Sequence, residues 1–242
     1  RQGETLTVGR AERGVFMVLA AEGGLDVRHE LASRSSDGRA GLGLFGGRGL
    51  QPGDTLPAQR QNPRALVDRE IDPIMVDDDA PIRIVLGPQD HAFVGAATET
   101  FLENAFEVSH SINRMAYRLE GPTIHRQPGY EMVSEGTLPG SVQIPGDGAP
   151  LILMRDRQTI GGYPKIASIV GPDLRRVAQR PPGSIVRFEV VTAIEAQAIA
   201  RRERTQLQKR LAGIRELVSS PAFYDFAALS DNCVDALDDA SW

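Results

Sequence analysis

Residues 129–169 constrain the fold most, because short apolar runs alternate there with tight, glycine-rich loops. Runs near 130–134, 141–144, 150–154 and 164–170 read as strands, with turns at Pro139-Gly140, Gly146-Asp147-Gly148 and Gly161-Gly162. Many short strands with few helices indicate a mainly-β barrel and not a βαβ fold. The loops carry Glu135, Gln143, Asp156, Gln158, Thr159, Tyr163 and Lys165. A loop held by strands at both ends can place polar groups accurately.

The rest of the chain extends this pattern. Thr5 to Val8 and Val15 to Ala21 read as strands, and the near-continuous apolar character of the second predicts burial on both faces. Residues 33–54 hold too many glycines for a helix and read as irregular backbone making close approaches. They lack Gly-Lys-Ser/Thr and a strand-turn-helix setting, so neither a phosphate loop nor a dinucleotide fingerprint is present. Residues 57–80, with the run Asp77-Asp78-Asp79, read as a solvated linker and the best domain boundary.

Pro81 to Leu86, Phe106 to Val108, Met115 to Leu119 and Ile185 to Val191 read as strands, with Ser111 to Arg114 lying between the second and third. Short helices are expected over Thr98 to Ala105, with Thr98 as N-cap, and over Asp173 to Gln179. Residues 194–217 form the longest helical pattern, with a narrow apolar stripe of Ile199, Leu207, Leu211, Ile214 and Val218. Residues 219–242 read as an acidic tail or docking segment.

Charge and cysteine content exclude several functions. The net charge of −5 gives no sequence-wide basic footprint for nucleic acid or an anionic membrane. No apolar run approaches the roughly 20 residues of a spanning helix. The lone Cys233 cannot form an internal disulfide, which points to a reducing, cytoplasmic setting. His29, His91, His110 and His125 show no metal-ligand spacing, so no metal site is expected. No Gly-x-Ser-x-Gly elbow is present, which argues against a serine hydrolase.

The polar loop residues are what remains. Lys165 and Lys209 are the only lysines; every other basic side chain is arginine. An ammonium is compact and shifts its pKa on burial, so Lys165 in a Gly-Gly-Tyr-Pro-Lys turn either serves that chemistry or stands there by chance. If the strands at 150–154 and 164–170 pair as a hairpin, Asp156, Gln158, Thr159, Tyr163 and Lys165 gather at one end. That set supplies a carboxylate, an amide, a hydroxyl, a phenol and an ammonium, and suits a urea, amide or lactam. It equally fits the polar end of an inert barrel, and residue type leaves both readings open.

Longer motifs go further. Gly87-Pro-Gln-Asp90, Ser111-Ile-Asn-Arg-Met-Ala-Tyr-Arg-Leu-Glu-Gly-Pro122, Ser134-Glu-Gly-Thr-Leu-Pro-Gly-Ser-Val-Gln-Ile-Pro145 and Asp156-Arg-Gln-Thr-Ile-Gly-Gly-Tyr-Pro-Lys-Ile-Ala167 resemble the biotin-dependent carboxyltransferase family. That family is also called allophanate hydrolase subunit 2 and includes the C-type component of the ATP-dependent 5-oxoprolinase. Gly23-Gly24, Ser33-Arg34-Ser35 and Gly47 to Asp54 match its earlier landmarks.

The resemblance implies cyclophilin-like β-barrel subdomains. Subdomain A would span 1–80 and lack its N-terminal part, subdomain B would span 81–192, and 193–242 would hold the helix and acidic tail. It implies cleavage of a cyclic amide or urea-type C–N bond within a complex that uses ATP. The partners would be a subunit 1 homologue (the B-type component) and a third subunit. Two alternatives stay open: carboxyl transfer to urea or a related amide, and a non-catalytic regulatory role. The chain has no Met-Lys-Met biotinyl site, so any biotin would arrive on another protein. The site residues carried over are Asp156, Lys165 and Glu135 as catalytic groups. Arg114, Gln143, Gln158, Thr159, Tyr163, Gly161 and Gly162 would bind substrate.

Overall fold

Alternating burial along Ile82 to Leu86 sets the frame. Ile82 and Ile84 are fully buried, while Arg83 and Val85 are partly exposed, as expected of a strand with one face on a core. The structure, a computed structural model, describes residues 5–21, 23–59, 69–70 and 79–216. Strands are β1 (Arg69–Glu70), β2 (Ile82–Leu86), β3 (Phe106–Ile112), β4 (Ala116–Glu120), β5 (Glu135–Gly136), β6 (Ser141–Gln143), β7 (Leu151–Leu153), β8 (Ile160–Gly161), β9 (Lys165–Ile169), β10 (Ile185–Val186), β11 (Phe188–Val190) and β12 (Arg215–Glu216). Helices are α1 (Gly95–Glu103), α2 (Gly171–Ala178) and α3 (Ala193–Ala212). The described residues fall into two units, one built from 5–16 and 70–215 and the other from 17–69 and Glu216.

The larger unit holds an eight-stranded sheet in the order β10-β3-β4-β7-β6-β9-β2-β11. Neighbours are antiparallel except β11 and β2, which are parallel. The edge strands β10 and β11 are separated in the chain by Arg187 alone, so the two edges are drawn together into a nearly closed barrel. Phe106, Val108, Tyr117, Leu119, Val142, Ile152 and Ile166 fill the interior. Phe101 of α1 stacks on Phe188 with ring centroids 4.4 Å apart, closing one end. The Tyr117 hydroxyl donates to the Ala178 carbonyl at 2.9 Å, tying the barrel interior to the end of α2. Burial pushes that phenol far above its usual pKa.

Asp173, in the first turn of α2, is buried and accepts from the Arg83 backbone N–H at 2.9 Å and from its Nε at 2.8 Å. Burial pushes its carboxyl pKa up, but the Arg83 hydrogen bonds and the nearby Arg176 outweigh that and hold it below the usual range. α3 begins at a capping box of Thr192 and Glu195.

Several expectations are corrected. Thr5 to Val8 and Val15 to Ala21 are not strands, and Val18 is 87% exposed instead of buried on both faces. An apolar run becomes a buried strand only beside a partner ladder. Here Val15 and Phe16 instead donate their backbone N–H groups to the Gln179 side chain at 2.8 and 3.0 Å. α1 starts at Gly95 with Val94 as N-cap, one turn before Thr98, and Ala105 lies beyond its end. β3 runs on through Ser111 to Ile112, with a register shift that lets the strand continue.

Residues 130–134 form no strand; the short strand starts at Glu135. α3 ends at Ala212, capped by Gly213; along its apolar stripe Ile199 is half-buried, while Leu207 and Leu211 are exposed. Val218 and residues 219–242 lie outside the described residues, as do Asp77, Asp78 and Cys233. In the smaller unit, Arg48 pairs with Asp54 at 2.7 Å and covers the Phe45 ring at 4.6 Å, beside a cavity of about 460 Å³.

Candidate functional site

The site grows from the central strands of the barrel. β6 lies between β7 and β9, so the strands around 152 and 167 each pair with β6 and not with each other. The hairpin expected from the sequence is therefore absent. The intervening strand brings in Gln143, whose register partner on β9 is Lys165. A register shift next to that pair leaves Lys165, Ile166 and Ala167 all buried, as a bulge does when it re-aims side chains.

The Lys165 side chain is only 4% exposed. Its ammonium donates to the Glu135 carboxylate and, at 3.5 Å, to the Gly136 carbonyl, so both acceptors lie on β5. Gln89 ties this pair to the barrel. Its Oε1 accepts the Lys165 backbone N–H at 3.1 Å, its Nε2 donates to the same Glu135 oxygen, and its own N–H donates to the Lys165 carbonyl at 3.2 Å. The Lys165 hydrogen bond holds the Glu135 carboxyl below its usual pKa, against a smaller opposing push from burial and with help from Gln89.

Gln143 is fully buried. Its Nε2 donates to the Tyr163 carbonyl at 3.3 Å, while its Oε1 has no hydrogen-bond partner among the described residues. A buried acceptor left unmatched costs about 1–3 kcal/mol. Gly161 of β8 lies directly over this amide: a Cβ there would come within 2.8 Å of Gln143 Nε2. β5 and β8 pair with each other, Glu135 opposite Gly161 and Gly136 opposite Ile160.

The remaining predicted residues sit around this cluster or apart from it. The Thr159 and Gln158 carbonyls accept from Thr137, through its N–H at 2.9 Å and its hydroxyl respectively. A Cβ on Gly162 would meet Ser134 Oγ at 3.2 Å. Tyr163 contributes its carbonyl to Gln143, while its side chain is half exposed. Arg114 and Asp156 form a separate surface pair at 2.8 Å with side chains 63% and 41% exposed. No hydrogen bond among the described residues links that pair to Lys165, Glu135 or Gln143. Sequence reading did not single out Gln89 as a site residue. Its signal was the Gly87-Pro-Gln-Asp90 motif, whose partner lies 76 residues away.

A buried ammonium paired with a carboxylate from β5, with an unmatched carboxamide oxygen on the strand next to the ammonium's own, can bind a group with a carbonyl oxygen and an N–H. Among the described residues no group of three or more His, Cys, Asp or Glu could hold a metal ion. No helix among them is long and apolar enough to cross a membrane.

Comparison with known proteins agrees with this architecture. The family model "Carboxyltransferase domain, subdomain A and B" matches residues 1–190. The chain is 35% identical over 212 residues to the C-type component of 5-oxoprolinase from Escherichia coli (strain K12), covering 88% of this chain and 67% of that protein. It is 26% identical over 210 residues to urea amidolyase of Saccharomyces cerevisiae, covering 78% of this chain and 11% of that protein. The crystal structure of Kluyveromyces lactis urea carboxylase matches with a TM-score of 0.65 at 22% identity, over 77% of this chain and 18% of that one, and shows the shared fold. The chain is thus homologous to subunits and domains of larger enzymes and spans only part of their length. From the barrel, its motifs and these matches, the chain belongs to the carboxyltransferase domain family of subdomains A and B.

Proposed function

We propose that the chain is a subunit of an ATP-dependent 5-oxoprolinase-type complex that opens the C–N bond of a cyclic amide. One observation carries this reading: the buried, unmatched Gln143 Oε1, on the residue whose register partner on the neighbouring strand is the buried Lys165. Lys165 donates to the lactam carbonyl oxygen and stabilises the charge that develops on it when the carbonyl is attacked. Gln143 accepts the lactam N–H. Glu135, displaced from Lys165 when the lactam oxygen takes its place, takes and returns the proton that moves from the attacking water to the leaving nitrogen. Gly161 and Gly162 allow close approach, and Gln158, Thr159, Tyr163 and the Arg114–Asp156 pair form the rim.

ATP is used by the complex; this chain carries no Gly-Lys-Ser/Thr phosphate loop. The partners are a homologue of the B-type component and a third subunit, and the setting is cytoplasmic.

The test is to co-express the full chain with those partners and measure 5-oxoproline-dependent ATP hydrolysis. Lys165→Ala should lower it by on the order of a hundredfold or more. Absence of activity with every partner combination contradicts the reading. The urea amidolyase match supports a second reading, transfer of a carboxyl group to urea from biotin carried on another protein. Avidin-blockable carboxylation of urea would establish it in place of the first.

A further inference from the structure

We propose that the β5–β8 pair is a movable cover over the candidate site, that Glu135 is its latch on Lys165, and that Gln89 is the positioning residue that holds the latch. This deepens the amide-site reading by saying how that site is regulated.

The ammonium is the first reason. Both of its acceptors belong to β5, so a ligand oxygen that takes either place on the ammonium displaces Glu135 or Gly136 from it. The second reason is how the cover is attached. β5 and β8 pair with each other and lie outside the eight-stranded sheet. No residue of 131–139 or 155–163 belongs to the hydrophobic core, and Val133, Leu138 and Ile160 point outward at 89%, 67% and 61% exposure. A segment with so little apolar burial opens locally at low cost compared with the barrel beneath it.

The cover is nevertheless held together within itself. Thr137 donates to the carbonyls of Thr159 and Gln158, and Arg157 donates to the Thr137 carbonyl at 3.1 Å. It therefore moves as one piece. What holds it shut is polar: Glu135 on Lys165, Gln89 on Glu135, the Tyr163 carbonyl on Gln143 and, at its edge, Asp156 on Arg114 through a backbone bond at 2.9 Å and the surface ion pair. In the closed state the Glu135 carboxylate occupies the place on Lys165 that a ligand oxygen would take. Opening frees the ammonium and uncovers the unmatched Gln143 Oε1 together.

The chain supplies its own probe, because it has two lysines, one buried and one on the exposed surface of α3. The full-length protein is acetylated with an N-hydroxysuccinimide ester, and the rates at Lys165 and Lys209 are read by mass spectrometry. In the wild type Lys165 should react at least about tenfold more slowly than Lys209. Glu135→Ala and Gln89→Ala should each raise the Lys165-to-Lys209 ratio about fivefold or more, with backbone exchange in β6 and β9 unchanged. Should Glu135→Ala unfold the barrel, Glu135→Gln, which keeps the shape and removes the charge, replaces it. A ratio unchanged in these variants, or equal reactivity of both lysines in the wild type, overturns the proposal. Because the readout is accessibility and not turnover, this result is independent of whether the complex cleaves a lactam.

Discussion

Gln143 and Lys165 face each other across β6 and β9, and both are buried. Register partners on antiparallel strands are neighbours across the sheet, and this pair stands at a register shift. Over Gln143 lies a glycine, Gly161, where a Cβ would come within 2.8 Å of the carboxamide nitrogen and force a shift.

That closeness makes Gly161 a sensitive position. Gly161→Ala places a methyl 2.8 Å from Gln143 Nε2 and should lift the cover, raising the Lys165 acetylation ratio while the thermal unfolding midpoint moves little. Gly162→Ala meets the Ser134 hydroxyl at 3.2 Å and the Met132 carbonyl at an ordinary 3.8 Å, and should leave the ratio near the wild-type value. Mass spectrometry of the two variants side by side checks the contrast.

Asp173 anchors α2 to β2 through Arg83 and is buried. Asp173→Asn breaks a largely buried pair and should cost about 3 kcal/mol in urea unfolding. The folded carboxyl titrates below its unfolded value, so its stabilisation is complete above the unfolded pKa of about 3.9 and is lost as pH falls through the folded value. The variant should lose that part of the acid dependence, which a series of urea titrations below neutral pH would show.

Tyr117→Phe keeps the ring in the core and removes the hydroxyl that satisfies the Ala178 carbonyl. Stability should fall by about 1 kcal/mol, with the acetylation ratio unchanged, because the lost bond lies at the end of α2 and not under the cover. Chemical denaturation together with lysine labelling tests both halves.

The barrel was legible where local pattern decides structure. Alternation at Ile82 and Ile84, the turns at Pro139-Gly140 and Gly146-Asp147-Gly148, and the polar helix after Thr192 all follow from spacing and composition. Strand pairing was less legible, because register depends on partners far apart in the chain. The segments around 152 and 167 looked like a hairpin, yet β6 inserts between them. The same insertion places Gln143 beside Lys165 and leaves Asp156 with Arg114 on the surface. Gln89 was hidden for a related reason: its role depends on a contact with Lys165 and Glu135, not on its neighbours. Val15 to Ala21 misled because an apolar run signals burial only when a second surface covers it.

The central claim is that the Gln143 carboxamide and the Lys165 ammonium together hold the amide that reacts. The most direct measurement is kcat/KM for 5-oxoproline-dependent ATP hydrolysis by the assembled complex carrying Gln143→Leu, which removes the acceptor and keeps an apolar side chain of similar bulk. The account predicts a fall of on the order of a hundredfold, with the barrel folded and the complex assembled. A value within about twofold of the wild type, under the same conditions, would contradict it.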